Sequence, residues 1–526
     1  MRATKNRHPH RQTFAGQRQG LTAEQKKLVE WMHQGNRLME TEQFQEASEM
    51  YAKILDKQPS NVLALNNLGA SLVKLGRTHE AQVVLEYVLE LDPSDAYARL
   101  NLGAIYQANK DFRGGLQNAL DAVAAAPTSP IAFNNLGCAF GSVNMLEEGL
   151  HAYQTAQLLD PNHWESALNV AMTLKELGRD KEALDAYQEL LERIPEHKAQ
   201  FKHVVKFFAS FLYLELGDLE TGWAYYASGF NPSIPTGAAR SPRREFPCPQ
   251  WQGEDLSGKK LIIWREQGIG DEILFSSCMV DLMDTDASIT FECSERLLST
   301  YQRSFPRFQV RPEFAAVSHA GAAIEGYDFH VPVAALPGLL RKTHQDFLRQ
   351  RPFIKVNFDH VFDFQERLKP FEGNKLVGIC WRSGLMDPLR NKEYSSLDDW
   401  GDILTMPGCT FVNLQYGDCE AELQQAESRF GVQILRWPDL DLKNELDRVF
   451  SLIYLMDAVI SAPTAVNCMA GAVGVKTLYL GNQKSWTTLG QTDRYPWYPN
   501  TLVCGRSTDA SAAQALTRVP GILRTL

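Results

Sequence analysis

The chain reads as an all-α repeat solenoid followed by an α/β half built on two parallel sheets. Three observations predict this. Proline, asparagine and small residues recur with one fixed spacing over the first 230 residues. A strand, a glycine turn and a helix follow one another within 259–276, KKLIIWREQGIGDEILFS. A second series of strand-like runs opens at 376. At 526 residues the chain is too long for one ordinary core,. Hydrophobic content of 44% and charged content of 22% are those of a globular protein,. A net charge of −10 argues against broad binding to the phosphate backbone of nucleic acid,. No apolar run approaches the length of a membrane span,.

The repeat is the firmest signal. Pro59, Pro93, Pro127, Pro161 and Pro195 keep a spacing of 34 without slippage. Asn67, Asn101, Asn135 and Asn169 share it, as do Ala47, Ala81, Gly115, Gly149 and Ala183. That period, with a small residue in the second helix and a closing proline, is the tetratricopeptide signature. Each unit should be a helix pair, with five full units from about residue 28 and a divergent sixth at 198–229. Stacked pairs make a curved solenoid with a concave binding face. The repeated Asn has two readings: a hydrogen bond within the repeat, or a ladder of amides that pairs with the main chain of an extended peptide.

The flanks are simpler. Residues 1–20 carry Arg2, Lys5, Arg7, Arg11 and Arg18 but no apolar core, so they read as a disordered basic tail and not a secretory signal,. Residues 231–250 hold Pro232, Pro235, Pro242, Pro247 and Pro249 and read as a linker,. The nine cysteines form no C-x-x-C pair, which suits a reducing cytoplasm and gives no zinc signal,.

Beyond 251 the pattern alternates. Strand-like runs fall at 261–264, 288–292 and 329–333, with a helix-like stretch at 294–304. Residues 337–370 read as an irregular helical bridge. The second series runs through 376–381, 410–415, 432–437, 457–461 and 476–480. Gly268, Gly270 and Asp271 occupy the turn after the first strand, at the sheet edge where ligands bind,. From spacing alone Asp271 is a helix cap. The turn is no dinucleotide fingerprint, because Ile273 stands where the third glycine should be,.

The run EQGIGD resembles the "EQGLGD" turn of the heptosyltransferase-like glycosyltransferases, a GT-B group. VGICWRSG (377–384), TFVNLQYGD (410–418), ISAPTAVNCMAGAVGV (460–475) and WTTLGQTDRYPWYP (486–499) carry the likeness through most of the last 280 residues. The solenoid, with its asparagines, is similar to that of the protein O-linked N-acetylglucosamine transferases. These resemblances imply a GT-B fold of two facing Rossmann-like lobes, with Asp271 as catalytic base. They imply donor contacts at Gly268, Gly270, Arg382, Ser383, Arg390, Gln415 and the helix start Thr464, Ala465, Val466 and Asn467. Arginine suits a nucleotide phosphate because it is permanently charged and bidentate. Free N–H groups and the dipole suit a helix start to the same task. Pro463 and Cys468 depart from the commoner Asp and His of that family, and each removes a polar contact. Asp439, Asp441 and Asp447 read as caps and a solvated face, since GT-B enzymes generally work without a bound metal.

The expectation is therefore a cytoplasmic, inverting, metal-independent glycosyltransferase with no bound cofactor. Its domains would be the tail 1–20, a solenoid 21–230, a linker 231–250, an acceptor lobe 251–370 and a nucleotide-sugar lobe 371–526. Asn67, Asn101, Asn135 and Asn169 would hold a protein acceptor. The fusion resembles bacterial enzymes that glycosylate flagellin from cytidine-monophosphate-linked nonulosonic acids. The alternatives are a non-catalytic protein-binding scaffold and a lipopolysaccharide glycosyltransferase.

Overall fold

The computed structural model describes residues 22–234, 238–313, 325–384, 394–505 and 512–525. The expected basic tail and Arg390 lie outside these residues.

Twelve helices follow one another in the repeat region: Ala23–Glu40 packs on Phe44–Leu55, Val62–Lys74 on Thr78–Leu91, Ala96–Ala108 on Phe112–Ala125, Pro130–Ser142 on Leu146–Leu159 and Ala199–Glu215 on Leu219–Tyr226, while Trp164–Glu176 and Asp180–Arg193 hold the place of the fifth pair. Pro59, Pro93 and Pro127 each lie two residues ahead of a helix cap. Asn61, Asp95 and Ser129 accept from the N–H of Ala64, Ala98 and Ala132 at 3.0, 2.7 and 3.3 Å, which satisfies an orphan donor of the first turn,. His163 takes that place in the fifth pair, its Nδ1 3.3 Å from Ser166 N. Within a pair the helices touch where the sequence is small. A Cβ on Gly69 would lie 2.6 Å from Leu85 Cδ2, and one on Gly137 2.5 Å from Tyr153 Cε1. The first helices of central repeats, Val62–Lys74, Ala96–Ala108 and Pro130–Ser142, also pack on one another and form the inner wall of the stack,.

The chain divides into two compact units, the first ending at Thr173 and the second starting at Leu174. The second contains the last helices of the repeat array together with two parallel sheets. In the first sheet β1 (Lys260–Trp264), β2 (Ser288–Cys293), β3 (Gln309–Pro312) and β4 (Phe329–Pro332) take the order β3-β2-β1-β4. The second comprises β5 (Lys375–Cys380), β6 (Cys409–Asn413), β7 (Ile434–Leu435), β8 (Ala458–Ser461), β9 (Thr477–Tyr479) and β10 (Thr501–Val503), in the order β10-β9-β8-β5-β6-β7. Both sheets bury their strands from both faces, which is why these read as unbroken apolar runs,. The strand order reverses at β1 in one sheet and between β5 and β8 in the other. Loops at such switch points open a crevice at the carboxyl edge.

Two strands were not legible beforehand. β3 and β10 are short edge strands, and their QVRP and TLV give no period. The expected bridge is present as helices Leu336–Leu340, His344–Phe347 and Phe358–Leu368. Between them Phe353 and Ile354 both donate to Ala472 O, at 3.0 and 3.1 Å, tying the bridge to the second sheet's helix layer. No helix among the described residues is long and apolar enough to cross a membrane.

Candidate active site

The turn after β1 is built around one unfavourable residue. Gln267 has φ of 62°, a left-handed value that a non-glycine residue adopts only when its surroundings enforce it,. Gly268 then caps the helix Ile269–Ser276. Asp271 lies in the first turn of that helix, half-buried, and its Oδ2 accepts from Gly268 N at 3.2 Å. The capping role expected from spacing is therefore real. It leaves a carboxylate at the carboxyl edge of the first sheet, at its switch point.

The second sheet supplies the opposite wall. Helix Ala465–Val473 starts directly after β8, and a Cβ on Gly270 would lie 3.5 Å from Ala465 Cα and 3.6 Å from Ala465 N. The carboxylate turn thus meets the positive end of a helix from the other sheet. Thr464 caps that helix, its Oγ1 3.3 Å from Val466 N and 3.2 Å from Ser461 Oγ. Asn467 is turned inward and buried, and its Oδ1 has no partner among the described residues. Burial, and then the nearby Asp271 charge, push the Cys468 thiol up to about 12, so it behaves as a neutral, apolar wall,.

Glu272, next to Asp271, is fully buried. It accepts from Arg265 Nε at 2.8 Å and Ser294 N at 2.9 Å. Desolvation raises its carboxyl to about 7 against the opposing pull of Arg265,. Its bonds run to the first sheet, so its role is to seat the turn.

Two residues expected at the donor site are engaged by the protein itself. Gln415 is only 1% exposed, and its Oε1 accepts from Trp381 N and Arg382 N at 3.2 and 3.0 Å. It locks the end of β5 to the end of β6 from inside. The Arg382 guanidinium is engaged with Glu422, its Nε 3.0 Å from both carboxylate oxygens, and donates to Asp418 O at 2.7 Å. It braces the loop after β5. Glu422 lies 40 residues on in the chain, so nothing in the local sequence indicated this pairing. Ser383 is buried beside it. Asp439 pairs with Arg367 and Arg448, Asp447 with Arg303, and Asp441 accepts from Lys443 N and Asn444 N. These three carboxylates hold protein groups.

The repeated asparagines all lie half-buried on the first helix of their repeats, the inner wall of the stack. Asn67 Nδ2 donates to Asn36 Oδ1 at 3.2 Å, and Asn169 Nδ2 to Asn134 Oδ1 at 3.0 Å. Asn101 and Asn135 have no hydrogen-bond partner among the described residues. The amides at 67 and 169 thus bond between neighbouring repeats, not within their own as one sequence reading expected, and the two in the middle are unengaged.

Comparison with known proteins bears first on the repeats. The tetratricopeptide repeat family matches residues 33–81, 68–130 and 134–197. Protein FlbA of Caulobacter vibrioides is 30% identical over 471 residues, spanning 86% of this chain and 71% of FlbA. The chain belongs to the FlbA family. The peroxisomal targeting signal receptor of Kluyveromyces lactis is 27% identical over 122 residues, 23% of this chain and 21% of the receptor. Among solved structures, MamA from Desulfovibrio magneticus RS-1 is 25% identical, with 94% of its chain and 32% of this one covered at a TM-score of 0.28.

One feature of this FlbA-family chain was missed in the sequence. The sixth helix pair is a wall of the α/β half. Tyr226 stacks on Trp486 with ring centroids 6.1 Å apart, Phe211 meets Trp486 edge-on at 5.9 Å, and Trp223 meets Phe275 and Trp497 at 6.3 and 6.1 Å. Trp223, Tyr226, Phe275 and Trp497 are all buried. Trp223 is therefore unavailable to a partner. The aromatic richness of both 223–226 and 486–498 was the available signal, but nothing in sequence order links them.

Proposed function

We propose that the chain is a glycosyltransferase of GT-B type that moves a sugar from a nucleotide-sugar to a Ser or Thr hydroxyl of a protein held by the repeats. One observation carries the reading: the Asp271 turn touches the helix start at Ala465, with each group at the switch point of its own parallel sheet. A carboxylate there can take the proton of an acceptor hydroxyl while the oxygen attacks the anomeric carbon. The helix N-terminus then favours the departing nucleotide phosphate. The reaction inverts the anomeric centre, because attack and departure occur on opposite faces. The donor-side groups of this reading are Gly268, Gly270, Ser383, Arg390, Thr464, Ala465, Val466 and Asn467, with Arg382 and Gln415 holding the loop around them. No residue of this mechanism requires a metal.

For the acceptor, Asn101 and Asn135 offer donors and acceptors suited to a peptide main chain. A repeat protein similar to this one is described as a receptor for a targeting signal, which fits a peptide-holding use. The resemblance to flagellin-modifying enzymes makes a flagellin-like acceptor and a cytidine-monophosphate-linked nonulosonic acid the first pair to try, with the cytoplasm as the site of reaction. The test is intact-mass spectrometry of candidate acceptors incubated with the chain and nucleotide-sugars. A sugar-sized increment supports the reading.

A second reading has its own observation. Arg382 is occupied by Glu422, and Pro463 and Cys468 replace polar residues of the resembled family, which suits a non-catalytic protein-binding scaffold. That scaffold would capture the acceptor and leave its mass unchanged with every donor.

A further inference from the structure

We propose that Arg240 is a positioning residue for the Gln267–Asp271 turn, coupling the end of the repeats to Asp271. The proposal rests on the reading of Asp271 as the base. Arg240 comes from the proline-rich stretch expected to be a linker, yet it is 1% exposed and pairs with the wholly buried Glu266. Its Nε lies 2.7 Å from Oε2 and its Nη2 2.5 Å from Oε1, a bidentate pair,. The guanidinium lies 4.6 Å over the Tyr226 ring and 4.2 Å over Phe230, and Nη1 donates to Tyr226 O at 3.4 Å. Its own N–H donates to Gly229 O at 3.0 Å. A Cβ on Gly229 would sit 2.6 Å from Arg240 Cδ, so the path of the arginine depends on that glycine. Arg240 is thereby anchored in the last repeat on one side.

On the other side it reaches the turn. Glu266 also accepts from Ala334 N at 3.0 Å. The carbonyl of Ser241, next in chain after Arg240, accepts from Gln267 N at 2.7 Å. The Gln267 carbonyl accepts from Arg265 Nη2 at 2.8 Å. Gln267 is thus held at both of its amide groups, which is how its left-handed backbone persists,. Gly268, whose N–H binds Asp271, follows immediately. Rotation of this backbone would swing the carboxylate away from Ala465, and misplacements of this kind cost rate through lost orientation.

A purely structural ion pair would be replaceable by a neutral, well-packed pair. The test compares the full-length wild type, R240K and R240M/E266Q by thermal melting, by amide hydrogen exchange of 265–272 and by transfer kinetics. For the double variant we expect a melting temperature near wild type, exchange in 265–272 faster by roughly tenfold, and kcat lower by roughly tenfold with the donor KM kept. R240K, which keeps the charge and loses the fork, should fall between, and it decides by the same exchange readout if the double variant does not fold. Unchanged exchange in 265–272 would overturn the proposal, whatever the activity. Faster exchange in a chain that transfers no sugar would support the clamp and remove the transferase reading instead.

Discussion

At the scale of single residues, neighbouring acids and amides decided what the arginines and glutamines do. Arg382 and Gln415 have the residue types of a phosphate and base site, and the sequence placed them correctly at strand ends. Their orientation depends on Glu422 and on the backbone of 380–382, which lie across the sheet and leave no mark on local spacing. We expect R382A and E422A to lower stability by similar amounts, about 1 kcal/mol each, with nucleotide affinity nearly unchanged. Thermal melts and titration calorimetry with cytidine monophosphate check this; a selective loss of nucleotide binding in R382A would restore it to the donor site. His330 gives a pH prediction. Its ring stacks on Phe246 at 4.3 Å and lies 3.3 Å from Trp264 Nε1. Burial, and then Arg244, depress its pKa to about 4 from the usual 6.5. A depressed pKa means the folded state prefers the neutral ring. The contribution is therefore complete above pH 6.5 and is lost as pH falls toward 4. Melting temperature in H330N should be flatter than in wild type across that window; parallel curves would show that the ring is not the titrating group.

At the scale of elements, the helix pairs were legible almost residue by residue, because proline, cap and small contact residue each leave a local mark at the same spacing. The asparagines were legible as a set but not in their individual roles, since Asn36 and Asn134 stand outside the repeated position and still take two of the four amides. This sharpens the acceptor prediction. N101A/N135A should weaken capture of a protein acceptor by about 0.5–1.5 kcal/mol per lost hydrogen bond and leave the melt unchanged. N67A/N169A should lower the melting temperature as well, because both residues bond between repeats. A pull-down alongside thermal unfolding separates the two pairs, and a stable N101A/N135A chain with normal capture would sink the ladder.

At the scale of the whole molecule, the two parallel sheets and their switch points were legible because buried strands declare themselves as apolar runs. The place where repeats end and the α/β half begins was not. Proline density suggested a break at 231–250, whereas Arg240 and the rings of Trp223 and Tyr226 join the last helix pair to the second compact unit. Aromatic contacts between positions 260 residues apart have no signature in one sequence. A fragment starting at Trp251 should therefore expose Phe275, Trp486 and Trp497 and lose roughly 1.5–3 kcal/mol for each ring uncovered. It should aggregate or bind a hydrophobic dye, while a fragment starting at Leu174 should melt cooperatively. Equal cooperative melts for both would contradict the shared core.

The most direct test of the central claim concerns Asp271. Asn at this position can still accept from Gly268 N, so the helix cap survives while the base is lost. Intact-mass spectrometry should follow an acceptor captured by the repeats, incubated with a nucleotide-sugar and either the wild type or D271N. We predict a sugar-sized mass gain with the wild type and a rate lower by roughly 10²–10⁴ with D271N, at an unchanged melting temperature. Transfer by D271N at the wild-type rate would contradict the assignment of Asp271 as the base.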